Sequence, residues 1–265
     1  MWRGILLAAM CVLTACQTQT PQSGETQTAP TLAALQGGYF RLDSRELNRP
    51  MHIYISLPER YAEQTDRRYP VVYITDGDSL FPMLAPTHLF LTYDEPVPPA
   101  ILVGIAYGTF GEGNMRHVDF RQPGAAGYQR MLRDELIPII EGRYRADPQR
   151  RVLVGQSRGA SFVLHSALTE PDLFWGRIAS NADYTERDAL WGEPMPATRR
   201  DLRLFVASGS RDRPDLRAGA LEWDTHWIAR EKPWAYHFVT IDNGTHAASM
   251  GEAYRQGMLW LFSPG

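Results

Sequence analysis

Cysteine is nearly missing from this chain: of 265 residues only Cys11 and Cys16 carry a thiol, and both lie at the start. That excludes a disulfide-stapled scaffold and a thiolate zinc site in the body of the protein. Long apolar runs are also missing. The only candidate, Ile5 to Ala15, is too short to span a bilayer. No charge of one sign dominates, since 27 Lys and Arg stand against 30 Asp and Glu, for a net charge of −3 and a pI near 6.2. With no basic stripe, nucleic acid is excluded as the expected partner. No period repeats along the chain, which excludes solenoids and propellers. What is present is 44% hydrophobic and 11% aromatic residues, enough for one substantial core.

Residues 1–16 read as an export leader. Arg3 precedes the apolar stretch, which ends in Leu13-Thr14-Ala15-Cys16. This tetrapeptide resembles a bacterial lipobox, whose cysteine is acylated and becomes the new N-terminus; a plain secretory signal cleaved near Ala15 is the alternative. Several acyl chains anchor stably, at about 0.8 kcal/mol per buried CH₂. Gln17 rather than Asp follows the cysteine, which by the same resemblance implies the outer membrane, facing the periplasm. Cys11 would leave with the leader. Loss of Arg3 takes the count from 27 to 26 positive against 30 negative, or −4. Residues 17–32, largely Thr, Gln and Pro, read as a disordered tether reaching about 20 Å, and 33–265 as the folded domain.

Within that domain, strand and helix signals alternate. Met51–Leu57, Val71–Thr75, Ile101–Ile105, Arg151–Val154, Leu202–Ala207 and His237–Ile241 read as strands. Tyr128–Tyr144 carries Met131, Leu132, Leu136, Ile139 and Ile140 at helical spacing, and a last helix is expected from Ala247 to Phe262. Short unbroken apolar strands separated by helices predict an α/β fold with a mostly parallel sheet covered on both faces. Sites in such sheets gather at the carboxyl ends of the strands.

Gly155-Gln156-Ser157-Arg158-Gly159 follows one of these strands and precedes a helix. A serine between two glycines at such a turn is a nucleophile elbow: the turn is sharp, and the hydroxyl stands exposed above the sheet. A serine needs a base, and the base needs an orienting carboxylate. Of the four histidines after Ser157, His165 lies on the following helix, His226 among tryptophans, and His237 on a strand. His246 alone sits just past the carboxyl end of a strand, and is the candidate base. The acid is expected after strand 202–207, where Asp212 is better placed and Asp215 is the runner-up. Backbone N–H groups of Arg158 and of Asp78, in Asp76-Gly77-Asp78, are candidates for the oxyanion hole.

Further segments carry a family resemblance over roughly residues 38 to 262. They are Tyr69-Pro70-Val71-Val72-Tyr73-Ile74-Thr75-Asp76-Gly77-Asp78, then Val103-Gly104-Ile105 with Arg116-His117-Val118-Asp119-Phe120, and Asp134 to Glu141 through Tyr144-Arg145. Together they resemble the esterase family of α/β-hydrolases that contains ferric-enterobactin and salmochelin esterases. Feruloyl and acetylxylan esterases, S-formylglutathione hydrolases and mycolyltransferases belong to it too. The resemblance implies the α/β-hydrolase fold and a serine carboxylic-ester hydrolase. Its substrate would be a siderophore trilactone, hydroxycinnamoyl or acetyl ester, free or glycan-linked, and no metal or organic cofactor would be needed. Acyl transfer by the same triad, and a silent binding protein of the same fold, are the alternatives. Two departures stand out. Ala160 replaces the glycine of G-x-S-x-G-G. Ser180-Asn181-Ala182-Asp183-Tyr184 stands where the siderophore-esterase branch often reads S-P-S-x-W-W. Arg116 and Asp119 read as residues that pair loops rather than as substrate ligands.

Overall fold

Eight strands form one sheet: β1 (Gly37–Ser44), β2 (Arg49–Ser56), β3 (Tyr69–Ile74), β4 (Ile101–Ala106), β5 (Ala146–Gln156), β6 (Gly176–Ser180), β7 (Leu202–Gly209) and β8 (Trp234–Ile241). Their spatial order is β1-β2-β4-β3-β5-β6-β7-β8. The β1–β2 and β2–β4 pairs are antiparallel, and every other neighbouring pair is parallel. This is a computed structural model describing Met1 and residues 37–264. The expected lipidation residue Cys16 and tether 17–32 lie outside the described residues, as does the leader beyond Met1.

The helices are α1 (Gly77–Asp94), α2 (Arg116–Asp119), α3 (Gly124–Arg130), α4 (Ile137–Arg143), α5 (Arg158–Thr169), α6 (Arg187–Leu190), α7 (Pro214–Ile228) and α8 (Met250–Phe262). A π-helical stretch, Met131–Leu136, joins α3 to α4, so the expected helix at 128–144 is one rod with a widened middle. Successive strand residues point to opposite faces, and both faces are dry. Val72, Ile74, Leu102 and Val154 pack against Leu84 of α1 and Tyr254 and Met258 of α8. Val71, Tyr73, Val103 and Leu153 pack on the other side with Tyr128, Met131, Ile140 and Phe162. Both faces being covered is why these strands read as unbroken apolar runs. The architecture is the α/β-hydrolase type, with the ends of β3, β5, β7 and β8 on one edge.

The last helix starts at Met250 rather than Ala247. Residues 245–249 form a turn instead, in which Ser249 donates both its N–H and its hydroxyl to the Thr245 carbonyl.

Candidate active site

Ser157 joins β5 to α5 with φ 58° and ψ −124°, a conformation that side-chain-bearing residues rarely adopt. The two glycines explain how the chain tolerates it. A Cβ on Gly155 would lie 2.3 Å from the Gly159 carbonyl oxygen, and one on Gly159 would lie 2.5 Å from Thr75 Oγ1. The Ser157 N–H is tied to the Ser180 carbonyl at 3.0 Å, which leaves the hydroxyl as the group the turn presents.

His246 arrives from the loop after β8. Its Nε2 lies 3.0 Å from Ser157 Oγ, and its Nδ1 lies 2.9 Å from Asp212 Oδ1. With Asp212 ionised, Nδ1 carries the proton and donates, and Nε2 accepts from the serine hydroxyl. The Asp212 side chain is fully buried, and its Oδ1 also accepts the Arg213 N–H at 2.7 Å. The loops bearing the acid and the base pack backbone against backbone. Arg211 N–H donates to the Gly244 carbonyl at 2.9 Å, and a Cβ on Gly209 would lie 2.3 Å from that same oxygen. Asp215 is elsewhere: it sits in the first turn of α7, exposed, 3.7 Å from Arg213.

Two helix N-termini converge on this edge. Arg158 opens α5, while Gly77 and Asp78 form the first turn of α1, so the segment after β3 is a helix start and not a loop. The N–H groups of Arg158, Gly77 and Asp78 have no acceptor among the described residues, as the first amides of a helix do. A Cβ on Gly77 would lie 2.7 Å from the Ile105 amide nitrogen, so only glycine lets α1 begin this close to β4. The Asp78 carboxylate turns away and accepts the N–H groups of Tyr107 at 2.7 Å and Gly108 at 2.9 Å. Beside this helix start is a cleft of about 290 Å³ walled by Tyr54, Phe81, Pro82 and Phe110. The triad candidates themselves line neither this cleft nor the cavities of about 230, 810 and 360 Å³ elsewhere.

Arg116 and Asp119 pair loops. Arg116 donates from Nε and Nη2 to the two oxygens of Asp76 at 2.7 and 2.9 Å. Burial raises the Asp76 pKa, and the hydrogen bonds from Arg116 oppose that rise. Asp119 accepts from Arg49 and from the Tyr107 hydroxyl. Asp183 is held by Arg121 at 2.8 Å, with Arg158 at 3.9 Å. Burial works against its carboxylate, yet hydrogen bonds from Thr185 and Arg121 win and its pKa falls. His165 packs against Gln122, and burial lowers its pKa. Gln156, a mere spacer in the motif, proves to be a contact: its Nε2 donates to the His246 carbonyl at 2.7 Å. No spacing rule announces such a side-chain-to-backbone bond.

The family described as Putative esterase matches residues 44–255. The chain belongs to that family. It is an esterase. The chain is 28% identical over 238 residues to ferri-bacillibactin esterase BesA of Bacillus subtilis, covering 81% of this chain and 79% of that protein. It is 23% identical over 292 aligned positions to the apo-salmochelin esterase of Escherichia coli, covering 97% and 91%. The crystal structure of the BES protein from Bacillus cereus superposes with a TM-score of 0.77 at 21% identity, covering 91% of this chain and all of that one.

The S-P-S-x-W-W departure has a physical reason. Asn181 holds φ 49° and donates its N–H to the Ala207 carbonyl at 2.8 Å. Proline, with φ fixed near about −65° and no N–H, can do neither.

Proposed function

We propose that this esterase works through an acyl-enzyme on Ser157. The observation that carries this is the unbroken hydrogen-bond chain from Ser157 through His246 to Asp212. In this reading His246 Nε2 takes the hydroxyl proton as Ser157 Oγ attacks the ester carbonyl. The imidazolium that forms is stabilised by Asp212 at Nδ1, then returns its proton to the leaving alkoxide. Water, deprotonated by the same nitrogen, attacks the acyl-enzyme and releases the acid. The N–H groups of Arg158 and Asp78 hold the oxyanion; each such donor lowers the barrier by about 2.7–4 kcal/mol. Both helices point their positive ends at that charge, which adds to the effect.

The substrate class in this reading is a siderophore lactone ester. The names of two relatives, a ferri-bacillibactin esterase and an apo-salmochelin esterase, support it. The enzyme would act as a lipoprotein anchored through Cys16 in the outer membrane, facing the periplasm. The deciding experiment compares turnover of a catecholate trilactone, methyl ferulate, acetylated xylan and short p-nitrophenyl esters, with products identified by mass spectrometry. A kcat/KM for the trilactone that exceeds the others supports the assignment. Preference for ferulate or acetylxylan overturns the substrate and leaves the chemistry standing.

A further inference from the structure

The buried amide of Asn181 lies between the loops that bring His246 and Asp212 to the site, and it bonds to both sides. Asn181 follows β6 directly and is 1% exposed. Its left-handed backbone, φ 49°, is one that asparagine tolerates better than most residues. Its Oδ1 accepts the N–H of Gly209 at 2.7 Å, the last residue of β7 and three before Asp212. Its Nδ2 lies 2.7 Å from the His246 carbonyl, 2.6 Å from Ser249 Oγ and 3.3 Å from the Thr245 carbonyl. Ser249 spends its own proton on the Thr245 carbonyl at 2.6 Å, so its oxygen is free to accept. The two amide hydrogens therefore go to His246 O and Ser249 Oγ, the two shortest contacts, and the amide is fully used.

From these contacts we infer that Asn181 is a positioning residue for the catalytic histidine, an inference that rests on the proposed triad. A histidine in a loop can swing; His246 is held at its backbone instead. Its carbonyl accepts from Asn181 on one side and from Gln156, the residue before the nucleophile, on the other, each at 2.7 Å. The ring bonds Ser157 at one nitrogen and Asp212 at the other. Asn181 thus ties the base loop to the strand that delivers the acid, and Gln156 ties it to the strand that delivers the nucleophile. Asn181 touches no reacting atom. It acts by keeping Nε2 at bonding distance from Ser157 Oγ, where an ångström of drift costs about a hundredfold in rate.

The test is Asn181→Gly, which keeps the left-handed backbone at no steric cost and deletes only the amide. With p-nitrophenyl butyrate, kcat should fall about 10- to 100-fold while KM stays within about threefold. Labelling by a fluorophosphonate should slow by the same factor, and the far-downfield proton resonance of the His246–Asp212 bond should broaden into solvent exchange. Should the glycine variant not fold, Asn181→Asp keeps the shape and the backbone preference but presents oxygen to the His246 carbonyl and the Ser249 hydroxyl, and the same split is expected. A folded variant with kcat within about twofold of the parent and an unchanged resonance overturns the inference. Ser157→Ala is run alongside. If it retains turnover, the triad reading itself has failed; if it is inactive while the Asn181 variants are normal, only the positioning role is lost.

Discussion

Asp76 and Arg116 form a two-pronged ion pair against the floor of the nucleophile turn: a Cβ on Gly159 would come within 3.0 Å of the Asp76 carboxylate. The pair joins the end of β3 to the segment at α2, and so fixes the α1 N-terminus relative to Ser157. Removing Arg116 strands the Asp76 carboxylate, whose side chain is 10% exposed; such a loss costs about 3–5 kcal/mol for a buried charge, and less here because burial already raises the Asp76 pKa and lets the carboxyl take up a proton. Arg116→Ala should therefore lower stability by about 2 kcal/mol in urea denaturation, and Arg116→Ala with Asp76→Asn should recover part of it. A double variant no more stable than the single one would contradict the pairing.

Ser157→Ala and His246→Ala should each lower kcat by about 10³–10⁶ and leave the thermal transition in place. Asp212→Asn should cost somewhat less, through loss of the tautomer that Nδ1 must keep. Asp215→Asn, at an exposed position, should be near normal. Steady-state kinetics on the four proteins checks this; activity lost at Asp215 and kept at Asp212 would reverse the acid assignment.

His88, on α1, sets a pH dependence of stability. It is buried between the Pro98 carbonyl, 3.2 Å from Nε2, and the Tyr254 hydroxyl, 2.9 Å from Nδ1. Both contacts suit the neutral ring, with Nε2 donating and Nδ1 accepting. Burial pushes its pKa down from 6.5 to about 4, against a raising effect of the Pro98 hydrogen bond. The unfolded chain therefore binds a proton below 6.5 that the folded one refuses until about 4, so this contribution is present above 6.5 and is lost as pH falls. The full loss is about 3 kcal/mol. Denaturation of the parent and of His88→Gln at pH 7 and pH 5 should show a steeper decline in the parent; equal declines refute it.

Cys16→Ser should abolish acylation and release any exported enzyme from membranes, since a domain of net negative charge gains nothing from anionic lipid. The protein from residue 33 onward should keep full turnover, because no triad candidate precedes that point. Mass spectrometry of the native N-terminus decides: an unmodified residue at Cys16 or beyond removes the anchor.

The central strands were legible because burial on both faces leaves unbroken apolar runs, as at Val71–Ile74 and Val152–Val154. Three elements were not. β1 is an edge strand that begins with two glycines and turns inward only Phe40, Leu42 and Ser44, with Leu42 the one buried apolar residue, so its alternation is too short and too weakly apolar to stand out. β6 carries Arg177, which is fully buried and donates to carbonyls at the end of α5, Ser166 and Glu170 among them; a charge that caps a helix from inside a strand breaks the pattern. α1 contains Pro82 and Pro86, each of which costs about 3 kcal/mol in a helix interior, and tertiary burial of Leu80, Phe81, Leu84 and Leu91 overrides the propensity. At the site, Ser157 was legible from its glycine-flanked turn, and His246 and Asp212 from their positions just past strand ends. Gln156 and Asn181 were not, because their partners are backbone carbonyls 90 and 65 residues away.

The sheet's first strand also fixes how this enzyme would bear a load. Gly37 pairs with Ser56, Ser56 with Leu102, Leu102 with Val72 and Val72 with Val152, so the chain enters the sheet five residues, or about 17 Å, below the level of Ser157. A pull applied at Gly37 would therefore grip the sheet at the end opposite the one that bears Ser157. Tension on that grip would run along β1 and load its eight residue pairs with β2 together, in shear. The outermost strand would resist as a unit before any pull reached the strands that carry the triad.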